Sequence, residues 1–236
     1  MHSAIEPAIL YFGTPVVVIG TQNEDGTANL APMSSVFWLG WRCVLGLAAA
    51  SRTAHNLQRT RECVLNLPSA GQVDGVNRLA LTTGADPVPE AKAARGYRHV
   101  KDKFGVAGWH AQAAETVDAP RVQQCPVQLE AVVEAVHGIA EDDDILRGRI
   151  LTFEVRIKRV HVEQGLLLEG AENRIDPDKW RPLIMSFQKF YSLEAEQLHP
   201  STLSKIPEPM YRSPEVDRAR REWSERQVQG QELRRA

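Results

Sequence analysis

The sequence predicts a mainly β chain of the α+β class: a β-barrel with helical insertions and a helical C-terminal tail. Three observations carry this. Residues 15–21 form a β-branched run bounded by Gly20, and short apolar runs of this kind read as buried strands. Asn23-Glu24-Asp25-Gly26 follows, and Asp-Gly supplies positive φ cheaply, so the chain returns as a hairpin over residues 27–33. Residues Val127–Ile139 and Ile150–Val162 alternate well enough for two long antiparallel strands, while few segments read as long helices.

The remaining elements follow in order. Residues 1–13 form an arm whose apolar part, 8–12, is suited to packing. Pro32 lacks an amide for a ladder, so its strand lies at an edge or ends there. Residues 36–41 are aromatic-rich and read as core or subunit contact. Arg42–Ala48 is a third strand. Ser51 or Thr53 caps a helix running to Arg61, and Glu62–Leu67 is a strand closed by Pro68. Residues 71–96 turn polar and helical, with short helices near 73–81 and 89–96. Residues 101–108 read as a compact basic and aromatic turn. Four consecutive acids, 141–144, mark a solvated hairpin tip rather than a cation site. Residues 165–169 read as a last short strand and 176–182 as a loop. Residues 183–193 are apolar and aromatic. Ser213-Pro214 opens a charged helix over 216–235 that is exposed or lies on a neighbouring subunit.

Composition narrows the function. The chain has 236 residues and is 43% hydrophobic, which is a globular composition. A net charge of −2 argues against a nucleic-acid footprint. Cys43, Cys63 and Cys125 are scattered, so neither a zinc site nor a disulfide framework is indicated, and core thiols in a reducing cytosol are expected. No apolar run is long enough to span a bilayer and the N-terminus carries no basic leader, so a cytoplasmic location is the default. No GxGxxG follows a strand, and no P-loop, HExxH or GxSxG occurs. The histidines show no metal-pair spacing, and His55 reads as a surface or packing residue.

Two small polar clusters stand out, separated by one strand. Asn29 to Ser35 offers backbone amides, an amide side chain and two hydroxyls. Ser51 to Asn56 offers hydroxyls, a guanidinium and a helix N-terminus, which together suit an aromatic ring carrying a phosphate.

Several segments occur in the order and spacing of the flavin reductase-like family, and the chain resembles that family over roughly residues 10–190. They are Val17-Val18-Ile19-Gly20-Thr21, Asn29-Leu30-Ala31-Pro32-Met33-Ser34-Ser35, Ser51-Arg52-Thr53-Ala54-His55-Asn56 and Cys63-Val64-Leu65-Asn66-Leu67. Asp102-Lys103-Phe104 with Ala107-Gly108, then Pro120-Arg121-Val122 with Cys125-Pro126-Val127-Gln128-Leu129-Glu130, continue the match, and Trp180-Arg181-Pro182-Leu183-Ile184 with Phe187 resembles a later segment.

The resemblance implies an FMN-binding split β-barrel of Greek-key type over residues 1–195, with 196–236 as a C-terminal extension. It implies flavin mononucleotide at a homodimer interface. Asn29, Leu30, Ala31, Pro32, Met33, Ser34 and Ser35 would line the isoalloxazine ring, largely through backbone groups. Ser51, Arg52, Thr53 and Asn56 would hold the phosphate and ribityl chain. Lys103 and Phe104 resemble a further flavin-contacting turn, and Lys189 and Tyr191 would reach the partner's flavin. The implied activity is hydride transfer from NADH or NADPH to the flavin, with a monooxygenase or other electron acceptor as partner. Because the cofactor carries that chemistry, no catalytic residue is named. Flavin reductases of two-component monooxygenases often carry Gly-Asp-His near the nicotinamide site, whereas the comparable stretch here is Gly148-Arg149-Ile150. Two other readings are an electron carrier or sensor with little NAD(P)H oxidation, and a structural dimer with a vestigial pocket.

Overall fold

A computed structural model describes residues 1–233. In chain order the strands and α-helices are β1 (Thr14–Pro15), β2 (Val17–Gln22), β3 (Ala28–Met33), β4 (Val36–Leu39), β5 (Arg42–Ala48), α1 (Arg52–Thr60), β6 (Glu62–Leu67), α2 (Val73–Leu79), β7 (Thr82–Thr83), α3 (Glu90–Ala93), β8 (Arg98–His99), α4 (Lys103–Ala107), β9 (Ala111–Gln112), β10 (Arg121–Val122), β11 (Val127–Ile139), β12 (Ile150–Val162), β13 (Leu183–Ser186), β14 (Lys189–Ser192) and α5 (Pro214–Leu233).

The main sheet runs β3-β2-β6-β11-β12-β5-β4 and is antiparallel throughout. Its two edges, β3 and β4, are consecutive in the chain, and only Ser34 and Ser35 separate them. Laid flat, such a sheet would hold its edges roughly 29 Å apart, at about 4.8 Å per strand. A two-residue link reaches only about 11 Å. The sheet therefore curls on itself into a split barrel, with the split between β3 and β4. Pro32 sits on the edge strand β3, where a missing amide breaks no ladder.

Burial explains the sequence pattern of each strand. Val17 and Ile19 of β2 face the barrel core with Leu45, Leu65 and Phe153. Val18, with Val16 just before the strand, faces a second cluster with Leu30, Leu79 and Trp109. A strand covered on both faces needs a continuous apolar run. In β5, by contrast, only Cys43, Leu45 and Leu47 are buried, so the strand alternates. The second cluster lies under α2 and α4. At Gly75 of α2 an added Cβ would fall 2.4 Å from the Trp109 ring, so no side chain fits that contact. Glu130 of β11 ties the segment before β10 to the barrel. It accepts from the Glu115 and Thr116 amides at 2.8 and 2.6 Å and pairs with His161 at 2.8 Å. Burial alone would raise its carboxyl, but the hydrogen bonds from His161, Thr116 and Glu115 hold it down at about 2.

Several expectations are corrected. The run over 15–21 is broken at Val16: Thr14–Pro15 pairs with β13 in a separate sheet, and Val16 donates to the Leu183 carbonyl at 2.8 Å. The turn over 101–108 is a short helix, because Asp102 caps the Gly105 amide at 2.8 Å and Gly108 closes it at φ 67°. The strand expected at 165–169 is a 3-10 turn, Gln164–Leu166, followed by a single bridge from Leu167 to Ile175. The helices near 73–81 and 89–96 shorten to α2 and α3, and the parallel pair β7–β8 lies beside them. The segment 183–193 is a hairpin, β13–β14.

The charged C-terminal helix touches its own chain through its first half and is largely exposed beyond Trp223. Arg42 pairs with Glu154 and Glu215, at 2.5 and 2.9 Å. Arg159 stacks over the Trp223 ring at 3.9 Å, and Ala219 is buried. Opposite charges on β5, β12 and the helix supply the match that the helix's weak apolar stripe does not. The last two residues of the 216–235 expectation lie outside the described residues. The three cysteines are buried and unpaired. Among the described residues no helix is long and apolar enough to cross a membrane.

Candidate functional site

The chain turns sharply from β5 into α1, and the turn builds an anion-ready corner. Ser51 takes an extended conformation and accepts from the Ala54 amide at 3.1 Å, so it, and not Thr53, is the cap. The amides of Arg52 and Thr53 in the first turn have no acceptor within the helix. Arg52 donates through Nε to the Gly84 carbonyl at 3.2 Å, and no other hydrogen bond engages its side chain among the described residues. The terminal guanidinium nitrogens thus stay available for a bidentate contact.

Thr53 has a different task. It is 3% exposed and accepts from Asn29 Nδ2 at 3.1 Å. Asn56 donates to Thr21 at 3.0 Å and to Asn23 at 2.9 Å, and Asn29 also reaches Thr21, at 3.4 Å. Thr21, Asn23, Asn29, Thr53 and Asn56 thus form one buried polar knot that fixes α1 against β2 and β3. The side chains of Asn29, Thr53 and Asn56 are largely committed inside the protein.

Beside Arg52 opens a cavity of about 280 Å³, lined also by Gly84, Asp86, His99, Lys101 and the turn from Asn23 to Thr27. Gly84 is required there. An added Cβ would meet Asn29 Oδ1 at 2.6 Å and Arg52 Cγ at 3.1 Å. Sequence reasoning missed Gly84, His99 and Lys101. They come from the insertion between β6 and β9, and no local pattern joins them to Arg52.

The edge strand β3 pairs only with β2 in the sheet, so half of its peptide groups face away from the ladder. Leu30 is core, at 1% exposure, while Ala31, Pro32 and Met33 are half-buried. Ser34 and Ser35 bridge the split, and the Ser35 carbonyl accepts from Gly46 at 2.8 Å. Backbone, rather than side chain, is what this strand can offer a ligand.

Lys103 is 2% exposed, and its ammonium donates to Thr82 Oγ1 at 2.5 Å. Among the described residues no carboxylate lies within ion-pair distance. Burial, with Lys92 and Arg98 adding repulsion, lowers its pKa to about 7. Thr82 stands two residues before Gly84, so Lys103 braces the same segment that Arg52 touches. Phe104 packs on the second apolar cluster instead. Lys189 and Tyr191 lie exposed on the β13–β14 hairpin, and no hydrogen bond or ion pair joins them to the Arg52 corner within the chain. Gly148 to Ile150 closes the β11–β12 hairpin, where the Arg149 carbonyl accepts from Ala49 at 2.9 Å, two residues before the Ser51 cap.

A family model described as "Flavin reductase like domain" matches residues 9–193. An uncharacterized protein of Bacillus subtilis, YdfE, is 34% identical over 81% of this chain and 89% of its own length. Flavoredoxin of Desulfovibrio vulgaris superposes with a TM-score of 0.69 at 19% identity, covering 87% of this chain and all of that one. The component B of nitrilotriacetate monooxygenase from Bacillus cereus superposes at 0.64 and 17% identity, over 80% of this chain and 88% of that one.

Proposed function

The chain belongs to the flavin reductase-like family, and from that we propose that it is an FMN-binding oxidoreductase that takes a hydride from NADH or NADPH. The observation that carries the reading is the Ser51–Arg52 corner. A phosphate needs free amides and a guanidinium fork, and this corner presents both beside an open cavity. The residues present therefore suit a flavin with a phosphate tail. Bound there, the flavin would supply the hydride-accepting ring.

The chain's own residues bind and orient. Arg52 and the first amides of α1 hold the phosphate. The polar knot of Asn29, Thr53 and Asn56 keeps α1 fixed, and β3 with Ser34 and Ser35 offers peptide groups along the ring. The Gly148–Ile150 hairpin end approaches the same corner, where a nicotinamide would be expected to enter. Arg149-Ile150 in place of Asp-His favours a second reading, an electron carrier or sensor with little NAD(P)H oxidation. Anaerobic mixing of flavin-loaded protein with NADH and with NADPH, followed by flavin absorbance, separates the two. Fast bleaching with either nucleotide supports the reductase, and bleaching with neither supports the carrier. Failure to bind micromolar flavin, with the protein folded, removes both.

The proposed unit is a homodimer of split barrels, residues 1–195, each with a 196–236 extension, acting in the cytoplasm with a monooxygenase or other acceptor as partner. Phe37 and Leu39 on the edge strand β4 are exposed, as is the edge-to-face pair Phe12 and Phe187, 5.1 Å apart. Exposed aromatics in such number suit an interface. It would bring the partner's Lys189 and Tyr191 toward the flavin. Light scattering should return twice the chain mass of 26.3 kDa across dilution; a monomer mass would discard the shared site.

A further inference from the structure

A second and larger cavity, of about 1250 Å³, lies between β12, the loop that follows it and the C-terminal helix. It shares no lining residue with the Arg52 corner. Tyr211, Arg220 and Trp223 come from residues beyond the family match, which ends at 193. The extension therefore supplies one wall of the cavity and the family domain the other, and its reading does not rest on the flavin site.

The walls combine aromatic surface with positive charge. Trp41, Tyr211 and Trp223 line it, with Lys158, Arg159 and Arg220. Arg174 and Arg212 line it too, but Glu208 and Asp217 hold them. Arg159 pairs with Glu115 at 3.0 Å, so of the five lining cations Lys158 and Arg220 are the ones left without a full counter-charge among the described residues. Lys158 has a weak counter-charge. Its one partner, Glu222 at 3.7 Å, also serves Arg218 at 2.9 Å and Arg156 at 3.4 Å. Arg220 makes no ion pair or side-chain hydrogen bond among the described residues. The Arg159 guanidinium lies over the Trp223 ring, 3.9 Å from its centroid, a cation on an aromatic face.

We propose that this cavity is a second ligand site, for a planar aromatic anion such as an aromatic carboxylate or sulfonate. The rings would lie against Trp41, Tyr211 and Trp223, and the anionic group would meet Arg220 and Lys158. Under-compensated cations on apolar walls favour an anion that brings its own apolar body.

The test is a fluorescence titration of the full chain with 8-anilinonaphthalene-1-sulfonate, with and without saturating flavin mononucleotide. Saturable binding that survives the flavin is expected, with 1-naphthoate competing and the neutral 1-naphthalenemethanol competing at least about tenfold more weakly. Arg220→Glu should weaken the probe by roughly tenfold or more. Arg221→Glu makes the same charge change on the same helix outside the cavity lining, and should change the affinity less than about twofold. Circular dichroism and melting curves establish that both variants are folded. No saturable binding, displacement by flavin, equal losses for the two variants, or equal competition by the neutral analogue would each overturn the proposal.

Discussion

Arg52→Ala is expected to weaken flavin mononucleotide binding roughly tenfold to a hundredfold while leaving riboflavin, which lacks the phosphate, nearly unchanged. A charge-assisted contact is worth about 1.5–3 kcal/mol, and riboflavin never makes it. Folding should suffer little, because the side chain's one internal bond is the single Nε contact to the Gly84 carbonyl at 3.2 Å. The neighbouring hydroxyl behaves differently. Thr53 is buried and accepts from Asn29, so Thr53→Ala should cost about 1 kcal/mol of stability and affect both ligands alike. Ser51→Ala removes the cap itself, again about 1 kcal/mol. Calorimetric titration of both ligands against the Arg52 and Thr53 variants, with a melting curve for each, decides the matter. Equal losses of riboflavin and flavin mononucleotide in Arg52→Ala would place the phosphate elsewhere, with the segment around Lys103 the next to examine.

The parts of the fold that were legible are those in which one strand's own pattern reports its burial. The sequence predicts Arg42–Ala48, Glu62–Leu67, Val127–Ile139 and Ile150–Val162 with the bounds the strands have. Each alternates, or runs β-branched, between clear turn residues. The short elements were not legible. The pair β7–β8 has two residues a side and is held by the chain around it rather than by propensity. The helix α4 has five residues and includes Gly105, so only its Asp102 cap and Gly108 stop betray it. The candidate site divides the same way. Ser51 and Arg52 could be read because a cap followed by a basic residue is a local signal. Gly84, His99 and Lys101 could not, since they join the corner only through the tertiary course of the insertion. The sequence pattern points Asn29, Thr53 and Asn56 at a ligand, whereas the structure turns their side chains toward one another inside the protein. Polar residues near a helix start give the same sequence signal whether they hold a ligand or hold the helix, and burial alone tells them apart.

Lys103→Met is expected to stabilise the ligand-free protein. The wild-type ammonium is 2% exposed, makes one hydrogen bond, to Thr82, and sits near Lys92 and Arg98 instead of a carboxylate. Its pKa falls from 10.5 to about 7. The unfolded chain therefore binds that proton more tightly than the folded one, and stability rises with pH between the two values. The penalty is full below about pH 7 and fades as the pH climbs toward 10.5. At about 1.4 kcal/mol per pH unit its ceiling is roughly 5 kcal/mol. Met matches the stem but removes the donor to the Thr82 hydroxyl, which keeps its own bond to the Leu79 carbonyl at 2.8 Å, so about 1 kcal/mol is returned. Relaxation and water penetration around the ammonium cut that ceiling, and a net gain of about 2 kcal/mol, or roughly 4–8 °C in Tm, is expected near neutral pH. The gap between mutant and wild type should close as the pH is raised to 10. If the lysine also faces a bound flavin phosphate, saturating flavin mononucleotide should shrink the gap at pH 7 as well, because the anion restores the charge's partner. Melting curves of both proteins from pH 6 to 10, with and without flavin, test each step. A mutant less stable than wild type at pH 7, or a gap that stays constant with pH, would mean that Lys103 carries a counter-charge in solution and is held by it. A gap that closes with pH but ignores flavin would keep the buried lysine and deny it the phosphate.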